Sequence, residues 1–169
     1  VLGTAAPITI APEGLSAWFD VFRVLQYDDI WRTHRAWVEA TQPHFGPQIA
    51  ARFAAVAQMD AAEVLVMTAR RADIRRQLDT LLADNTVLLW PTAHDVAPKL
   101  NLPPHETVQV RERMLALLCA AGLGGLPQLT LPISLVDGLP VGLSLIGGRG
   151  KDELLLSMAR ALATTSPAR

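Results

Sequence analysis

Two alternating apolar patterns on either side of Asp137-Gly138 place the firmest constraint on the fold. Every second residue is aliphatic from 129 to 135, and the alternation resumes from 139 to 145. A period of two is typical of strands with one buried face. Asp-Gly favours the positive φ angles that a type I′ turn needs at both central positions. The sequence therefore predicts a β-hairpin centred on this dipeptide.

Two prolines interrupt the predicted strands. Pro132 and Pro140 lie within the alternating runs, and proline has no N–H to donate to a β-ladder. We therefore expect each of them to lie at a bulge or on an unpaired side of its strand.

Helical patterns account for most of the remaining chain. Asp60 and Glu63 stand at capping-box spacing, which predicts that a helix begins there. Asp152 and Glu153 suit the positive N-terminal end of another helix. Gly122 stands where a glycine would end a helix. We predict helices at residues 15–41, 47–57 and 107–121, and two more that begin at Asp60 and Asp152. We also predict strands at residues 6–10 and 87–90, of which the second is buried.

One predicted helix carries a cluster of positive charge. Its arginines lie off the apolar stripe, a pattern typical of a solvated face rather than a phosphate site. They are Arg70, Arg71, Arg75 and Arg76.

The composition fits one globular domain. Of 169 residues, 50% are hydrophobic and 18% charged, so a sizeable core can form. The net charge of −1 argues against binding of nucleic acid or of an anionic membrane surface. The single cysteine, Cys119, cannot form an internal disulfide, so we expect a cytoplasmic protein. The chain opens Val-Leu-Gly-Thr without an initiator methionine, and we expect that a segment precedes it.

Phrases that look like nucleotide or metal sites fail their physical requirements. Residues 122–127 resemble a dinucleotide-binding glycine pattern, but they end in Pro127 and lead from a helix into a strand. Gly150-Lys151 resembles the end of a P-loop, yet Asp152 would repel phosphate. The four histidines lack the spacing of zinc ligands. We therefore predict neither a cofactor nor a metal ion.

Nucleophile candidates are few. No serine stands in a G-x-S-x-G elbow. Cys119 lies in the apolar stretch of a helix, where buried thiols are inert. A small independent hydrolase would have to use His94 and Ser134, which would need the mutual positioning that triad chemistry demands.

Several phrases resemble the C-terminal part of the amidase signature family. They are G-L-G-G-L-P-Q-L-T-L-P at 122–132, D-G-L-P-V-G-L-S-L-I-G at 137–147, and V-L-L-W-P-T-A-H-D-V-A-P at 87–98. The helical region 31–72 is similar to bacterial amidases related to the amidotransferase A subunit. The resemblance implies an α/β fold, with helices packed on part of a mixed β-sheet. It also implies that residues 1–169 are a single partial domain.

The resemblance implies a chemistry as well. Family members hydrolyse or transfer at a carboxamide C–N bond through a Ser–cis-Ser–Lys triad, with main-chain N–H groups holding the oxyanion. This chain has no Ser-Ser pair, and its two lysines are Lys99 and Lys151. We therefore assign no catalytic residue here, expect the triad outside this chain, and expect the segment alone to be inactive.

The same resemblance implies where a substrate pocket would be closed, namely by the loop after the Pro-Thr phrase and by the Gly-Leu-Pro turn. The corresponding pocket-wall residues are Trp90, Pro91, Thr92, Gly125, Leu126 and Pro127. The alternative, that these residues only shape a tight strand entry, stays open. Gly122 replaces the asparagine usual in the family.

Partners follow from the expected sheet. Part of a larger sheet has uncovered edges and apolar faces, which favour pairing with another chain. We expect a homo-oligomer or a partner carrying an N-terminal amidase half, with a small amide as substrate of the parent protein. The alternative is a non-catalytic binding or scaffold domain that reuses this fold fragment.

Overall fold

The computed structural model describes residues 5–165, so the opening Val-Leu-Gly-Thr lies outside the described range. Its helices are α1 (Leu15–Thr41), α2 (Pro47–Val56), α3 (Ala61–Leu81), α4 (Pro104–Gly124) and α5 (Asp152–Thr165), and its strands are β1 (Val87–Pro91), β2 (Gln128–Val136) and β3 (Leu139–Gly147). All five predicted helices are confirmed. Asp60 caps α3, because its carboxylate accepts the Ala62 N–H at 2.9 Å.

The predicted hairpin is confirmed as β2 and β3. Asp137 has φ 50° and Gly138 φ 78°, as a type I′ turn requires. β3 is the central strand of a three-stranded antiparallel sheet with the order β1-β3-β2. The stretch of β3 that pairs with β1 is Leu143–Gly147. Pro140 lies outside this stretch, so β1 does not pair with it.

A β-bulge between Leu131 and Ser134 aligns the apolar rows of the hairpin. A two-residue turn pairs odd-numbered residues of β2 with even-numbered residues of β3, which would set the two apolar rows on opposite faces. The bulge shifts the register by one residue, so that Leu129 lies opposite Leu145. Pro132 lies within the bulge, where a missing N–H costs no ladder hydrogen bond.

Helices cover both faces of the sheet. The larger core lies between one face and α1, α3 and α4, and its buried members include Trp18, Leu78, Leu123 and Ile146. A second core lies between the other face and α5, and its buried members are Leu131, Leu145, Leu155 and Ala159. The α/β class is confirmed, and the described strands pair antiparallel throughout.

The strand predicted at residues 6–10 is wrong. The segment forms no β-ladder, although Ile10 is buried against the larger core. Its backbone is held by a side chain instead, since Gln77 Nε2 donates to the Ile10 carbonyl at 2.7 Å. A short apolar run is buried equally well by packing under helices, so its pattern alone does not show strand pairing.

Strand β1 is partly exposed, which corrects the prediction that it is buried. Leu88 is buried against the larger core, whereas Leu89 is 42% exposed. In the described part of the chain β1 pairs with β3 alone and is therefore an edge strand. The side of β1 that faces away from β3 has no neighbouring strand among residues 5–165.

The end of α4 also differs from the prediction. The helix continues through Gly122 to Gly124, and it is capped by Gly125, which has φ 64°. Leu126 N–H donates to the Ala121 carbonyl at 3.0 Å and Gly125 N–H to that of Gly122 at 3.3 Å, which is the Schellman pattern. Burial of Leu123 favours the extra turn, because it adds that side chain to the core.

Arg71 is not part of a solvated face. It is half-buried, and its Nε donates to the Leu123 carbonyl at 3.1 Å. Arg149 donates to the Gly124 carbonyl at 2.8 Å and pairs with Asp79. Positive charge at a helix C-terminus is favourable, so these arginines stabilise the end of α4.

Within residues 5–165 none of the helices is both long enough and apolar enough to cross a membrane.

Candidate functional site

The six predicted pocket-wall residues occupy two separate places in the fold. Pro91 ends β1 opposite Leu143, and Thr92 follows it. Pro127 lies at the other end of this stretch of β3, where its carbonyl accepts the Gly147 N–H at 3.2 Å. Gly147 is four residues further along β3 than Leu143, which is about 13 Å along a strand. It stays a prediction that residues 90–92 and residues 125–127 line one substrate pocket.

Two of the six contribute to one core. Trp90 and Leu126 both pack against the larger core from its margin. The indole Nε1 of Trp90 donates to the Leu117 carbonyl of α4 at 2.9 Å. Trp90 therefore joins β1 to α4 through an apolar ring and one hydrogen bond, a usual arrangement for a partly buried tryptophan.

Leu126 is held in place by the turn that ends α4. A Cβ at Gly124 would lie 2.8 Å from Leu126 Cδ1, so the absence of a side chain there makes room for the leucine. Gly125 adopts the left-handed backbone that glycine tolerates without strain. Together with Pro127, these residues form the turn that leads from α4 into β2.

Thr92 belongs to a group of polar side chains that sequence reasoning missed. We call this group the Ser144 cluster: Ser144, Thr92, Gln128 and Thr130. The Ser144 hydroxyl oxygen lies 2.7 Å from Thr92 Oγ1 and 3.2 Å from Thr130 Oγ1, and it accepts Gln128 Nε2–H at 2.9 Å. Ser144 is fully buried, and its partners lie closer to the surface.

The hydrogen-bonding capacity of Ser144 is fully used. A serine hydroxyl has one proton to donate and two lone pairs that accept, and three partners surround this one. None of these partners is a general base, because they are two hydroxyls and an amide. The arrangement therefore positions polar groups and does not activate a nucleophile.

Gly142 allows Thr92 to approach the sheet. A Cβ at Gly142 would lie 2.8 Å from Thr92 Oγ1 and 2.9 Å from Thr130 Cγ2. Thr92 N–H also donates to the Gly142 carbonyl at 3.0 Å. The backbone bond and the hydroxyl bond to Ser144 together anchor the loop that follows β1 at its first residue.

The other reactive side chains within residues 5–165 are not arranged as a catalytic group. His94 is exposed and Ser134 half-buried, and no described hydrogen bond joins them. Burial raises the pKa of Cys119 from its usual 9.0 to about 11, which keeps the thiol protonated and inert at neutral pH. Residues 5–165 contain no group of three or more His, Cys, Asp or Glu side chains that could hold a metal ion.

The fold and the Ser144 cluster define an α/β domain in which a sheet, covered by helices on both faces, anchors a loop through buried polar contacts. The family model described as Amidase matches residues 13–156. The chain therefore belongs to the amidase family.

Curated relatives agree with the family match. Amidase 1 of Oryza sativa subsp. japonica is 33% identical over 152 residues, which are 89% of this chain and 35% of that protein. Translocon at the outer membrane of chloroplasts 64 of Pisum sativum is 30% identical over 145 residues, or 86% of this chain and 24% of that protein. The chain thus spans about a third or less of these relatives.

A solved structure extends the likeness to three dimensions. A structure described as a crystal structure of amidase superposes with a TM-score of 0.76 at 26% identity and covers 89% of this chain and 36% of that chain. The S177A allophanate hydrolase of Kluyveromyces lactis superposes with a TM-score of 0.72 at 22% identity, covering 96% and 31%, which supports the fold.

Proposed function

We propose that this chain is the C-terminal part of an amidase that hydrolyses or transfers at a carboxamide C–N bond, with its Ser–cis-Ser–Lys triad outside residues 1–169. The match of residues 13–156 to the amidase family carries this proposal. In such a triad the lysine accepts a proton through the bridging serine, and the second serine attacks the amide carbonyl. The substrate of the parent protein is then a small amide.

The lysines of this chain support the proposal. Lys99 is exposed in the loop after β1, and Lys151 Nζ donates to Asn85 Oδ1 at 3.3 Å. No described hydrogen bond joins either lysine to a serine. A Ser–Ser–Lys relay needs its three groups in hydrogen-bond contact, so we assign the relay to residues outside this chain.

The proposed role of the chain is to form one wall of the substrate pocket. The loop after Pro91 is anchored at Thr92 by the Ser144 cluster, and the turn at Gly125 is fixed by a Schellman cap. Rigid support of this kind is what a substrate-positioning surface requires. Trp90 and Leu126 are the apolar members of the proposed wall.

We further propose a cytoplasmic location and a partner at the sheet edge, either a second copy or an N-terminal amidase half. Both β1 and β2 are edge strands among the described residues, and β1 exposes Leu89. Unpaired edges of this kind favour pairing with another strand. The single buried cysteine is consistent with a reducing compartment.

An activity assay tests the catalytic assignment. Purified residues 1–169 should turn over no simple amide and should not be labelled by a serine-directed fluorophosphonate, while an intact amidase relative serves as positive control. Co-expression with an upstream amidase half should restore turnover. Stoichiometric labelling of this chain alone would show that it holds its own nucleophile and overturn the proposal.

A second candidate function is a non-catalytic binding or scaffold module. It is favoured by the 30% identity to a relative named as a translocon component rather than as an amidase. The co-expression experiment separates the two candidates. Formation of a stable complex without any amidase activity would favour the scaffold over the split enzyme.

A further inference from the structure

A cleft on the helical side of the molecule lies away from the Ser144 cluster. It is formed by α1, α2 and the first half of α4, and its volume is about 250 Å³. Its walls are mostly apolar, with Ile30 on α1 and Phe53 and Val56 on α2. A cavity of about 150 Å³ lined by aliphatic and aromatic side chains can hold benzene, so this cleft has room for a ring and a small substituent.

The walls of the cleft are held in place before any ligand arrives. Phe53 stacks on Phe45 with ring centroids 4.7 Å apart. The rings of His34 and Phe53 make a T-shaped contact with centroids 6.5 Å apart. Val56, the last residue of α2, is buried. Aromatic pairs in these geometries favour a fixed orientation of the Phe53 ring.

The cleft carries cationic groups and no acidic ones. Arg52 from α2 and Arg111 from α4 line it, and none of its nine lining residues is Asp or Glu. Across residues 5–165 no ion pair joins either arginine to a carboxylate. Arg52 is half-buried, and a guanidinium drawn out of water gains most from an anionic partner.

We propose that this cleft binds a small amphiphilic carboxylate, an aryl or short alkyl acid. The apolar body of the ligand packs between Ile30, Phe53 and Val56. Its carboxylate pairs with Arg52 and Arg111, because the guanidinium fork matches carboxylate geometry. Tyr27 also lines the cleft and adds a hydroxyl to its polar groups. The proposal concerns binding and does not depend on the amidase assignment.

Benzoate is the probe for calorimetric titration of the 169-residue chain. We expect saturable binding of benzoate and none of benzyl alcohol, which shares the ring but lacks the charge. Arg52→Met should weaken the affinity about tenfold, the value of one charge-assisted hydrogen bond in a half-buried site. Arg111→Met should weaken it about threefold, because Arg111 is exposed and its charge is screened.

Arg113→Met is the matched control, since Arg113 is exposed on the same helix but does not line the cleft. It should leave benzoate affinity unchanged. Methyl NMR locates the ligand, because a bound ring should shift the resonances of Ile30 and Ile49 but not those of Leu139 at the hairpin. The proposal is overturned if benzoate does not bind, if benzyl alcohol binds equally well, or if Arg52→Met and Arg113→Met have the same effect.

Discussion

Thr92 and Ser144 stand 52 residues apart in the sequence, yet their hydroxyl oxygens are 2.7 Å apart. This contact ties the first residue after β1 to the central strand of the sheet. Gln128 and Thr130 bond to the same Ser144 oxygen, so one buried hydroxyl links β2, β3 and the loop after β1. The stability of the loop after β1 should therefore depend on Ser144 more than on any contact within the loop.

Ser144→Ala should destabilise the protein by about 1–3 kcal/mol, because three polar partners lose their shared hydroxyl. Urea unfolding followed by circular dichroism measures the change. Trypsin cleavage after Lys99, in the loop that the cluster anchors, should also become faster. Ser157→Ala is the matched control, since Ser157 is exposed on α5, and it should change stability by less than about 0.5 kcal/mol. Equal effects of the two substitutions would show that the cluster contributes nothing.

Gly142→Ala should destabilise by about 1–3 kcal/mol through overpacking, since the added methyl would meet Thr92 Oγ1 at 2.8 Å. Gly46→Ala serves as a control, because a Cβ at Gly46 meets nothing within 4 Å. Thermal unfolding of both variants provides the comparison. A Gly142→Ala protein as stable as Gly46→Ala would mean that the loop after β1 shifts away from the sheet at no cost.

Much of the hairpin could be predicted because its signals are local. Alternation gives the strands, and Asp137-Gly138 gives the turn. The sequence also contains the signal for the bulge. Apolar residues stand at odd positions on both sides of a two-residue turn, and these two rows lie on the same face of the hairpin only if the register shifts by one residue. Pro132 marks the place where the shift occurs.

The Ser144 cluster could be predicted only in part. Within one hairpin, the register with its bulge places Thr130 opposite Ser144. Thr92 directly follows β1, and nothing in the local pattern of residues 87–92 shows which strand it contacts. The six pocket-wall residues came from the family resemblance; in the fold one group lies where β1 ends opposite Leu143 and the other lies at the start of β2, beside Gly147.

The end of α4 was misplaced because three glycines, Gly122, Gly124 and Gly125, follow one another closely. Glycine marks a helix end by its preference for positive φ, but each of the three satisfies that preference equally well. Burial of Leu123 between them selects the last one. Tertiary packing, rather than local sequence, therefore determines the residue at which α4 ends.

This difference between the glycines has a measurable consequence. Gly122→Ala should stabilise the protein by up to about 1 kcal/mol, because Gly122 lies inside α4 and an added Cβ would meet Phe22 at an ordinary 3.5 Å. Gly125→Ala should destabilise by about 1 kcal/mol, since alanine is strained at φ 64°. Chemical unfolding of the two variants, compared with the parent chain, is the measurement. A helix that ended at Gly122 would reverse the order.

Cys119 gives the chain a pH-dependent stability that can be isolated by one substitution. Burial raises the pKa of the thiol from 9.0 to about 11, so between these values the unfolded chain loses its proton before the folded chain does. The folded state then binds more protons, and the free energy of unfolding must fall as pH rises from about 9 to about 11. The quantity to measure is the difference in unfolding free energy between the parent chain and Cys119→Ala, because that difference isolates the contribution of the thiol.

Relative to Cys119→Ala, the parent chain should lose stability progressively across that window and show no difference in slope below pH 8. At pH 8 the native thiol should react with Ellman's reagent only as fast as the protein opens, and fully once urea unfolds it, because Cys119 is 2% exposed. A parallel pH dependence in both proteins, or rapid labelling of the native thiol, would mean that α4 does not bury Cys119 as described.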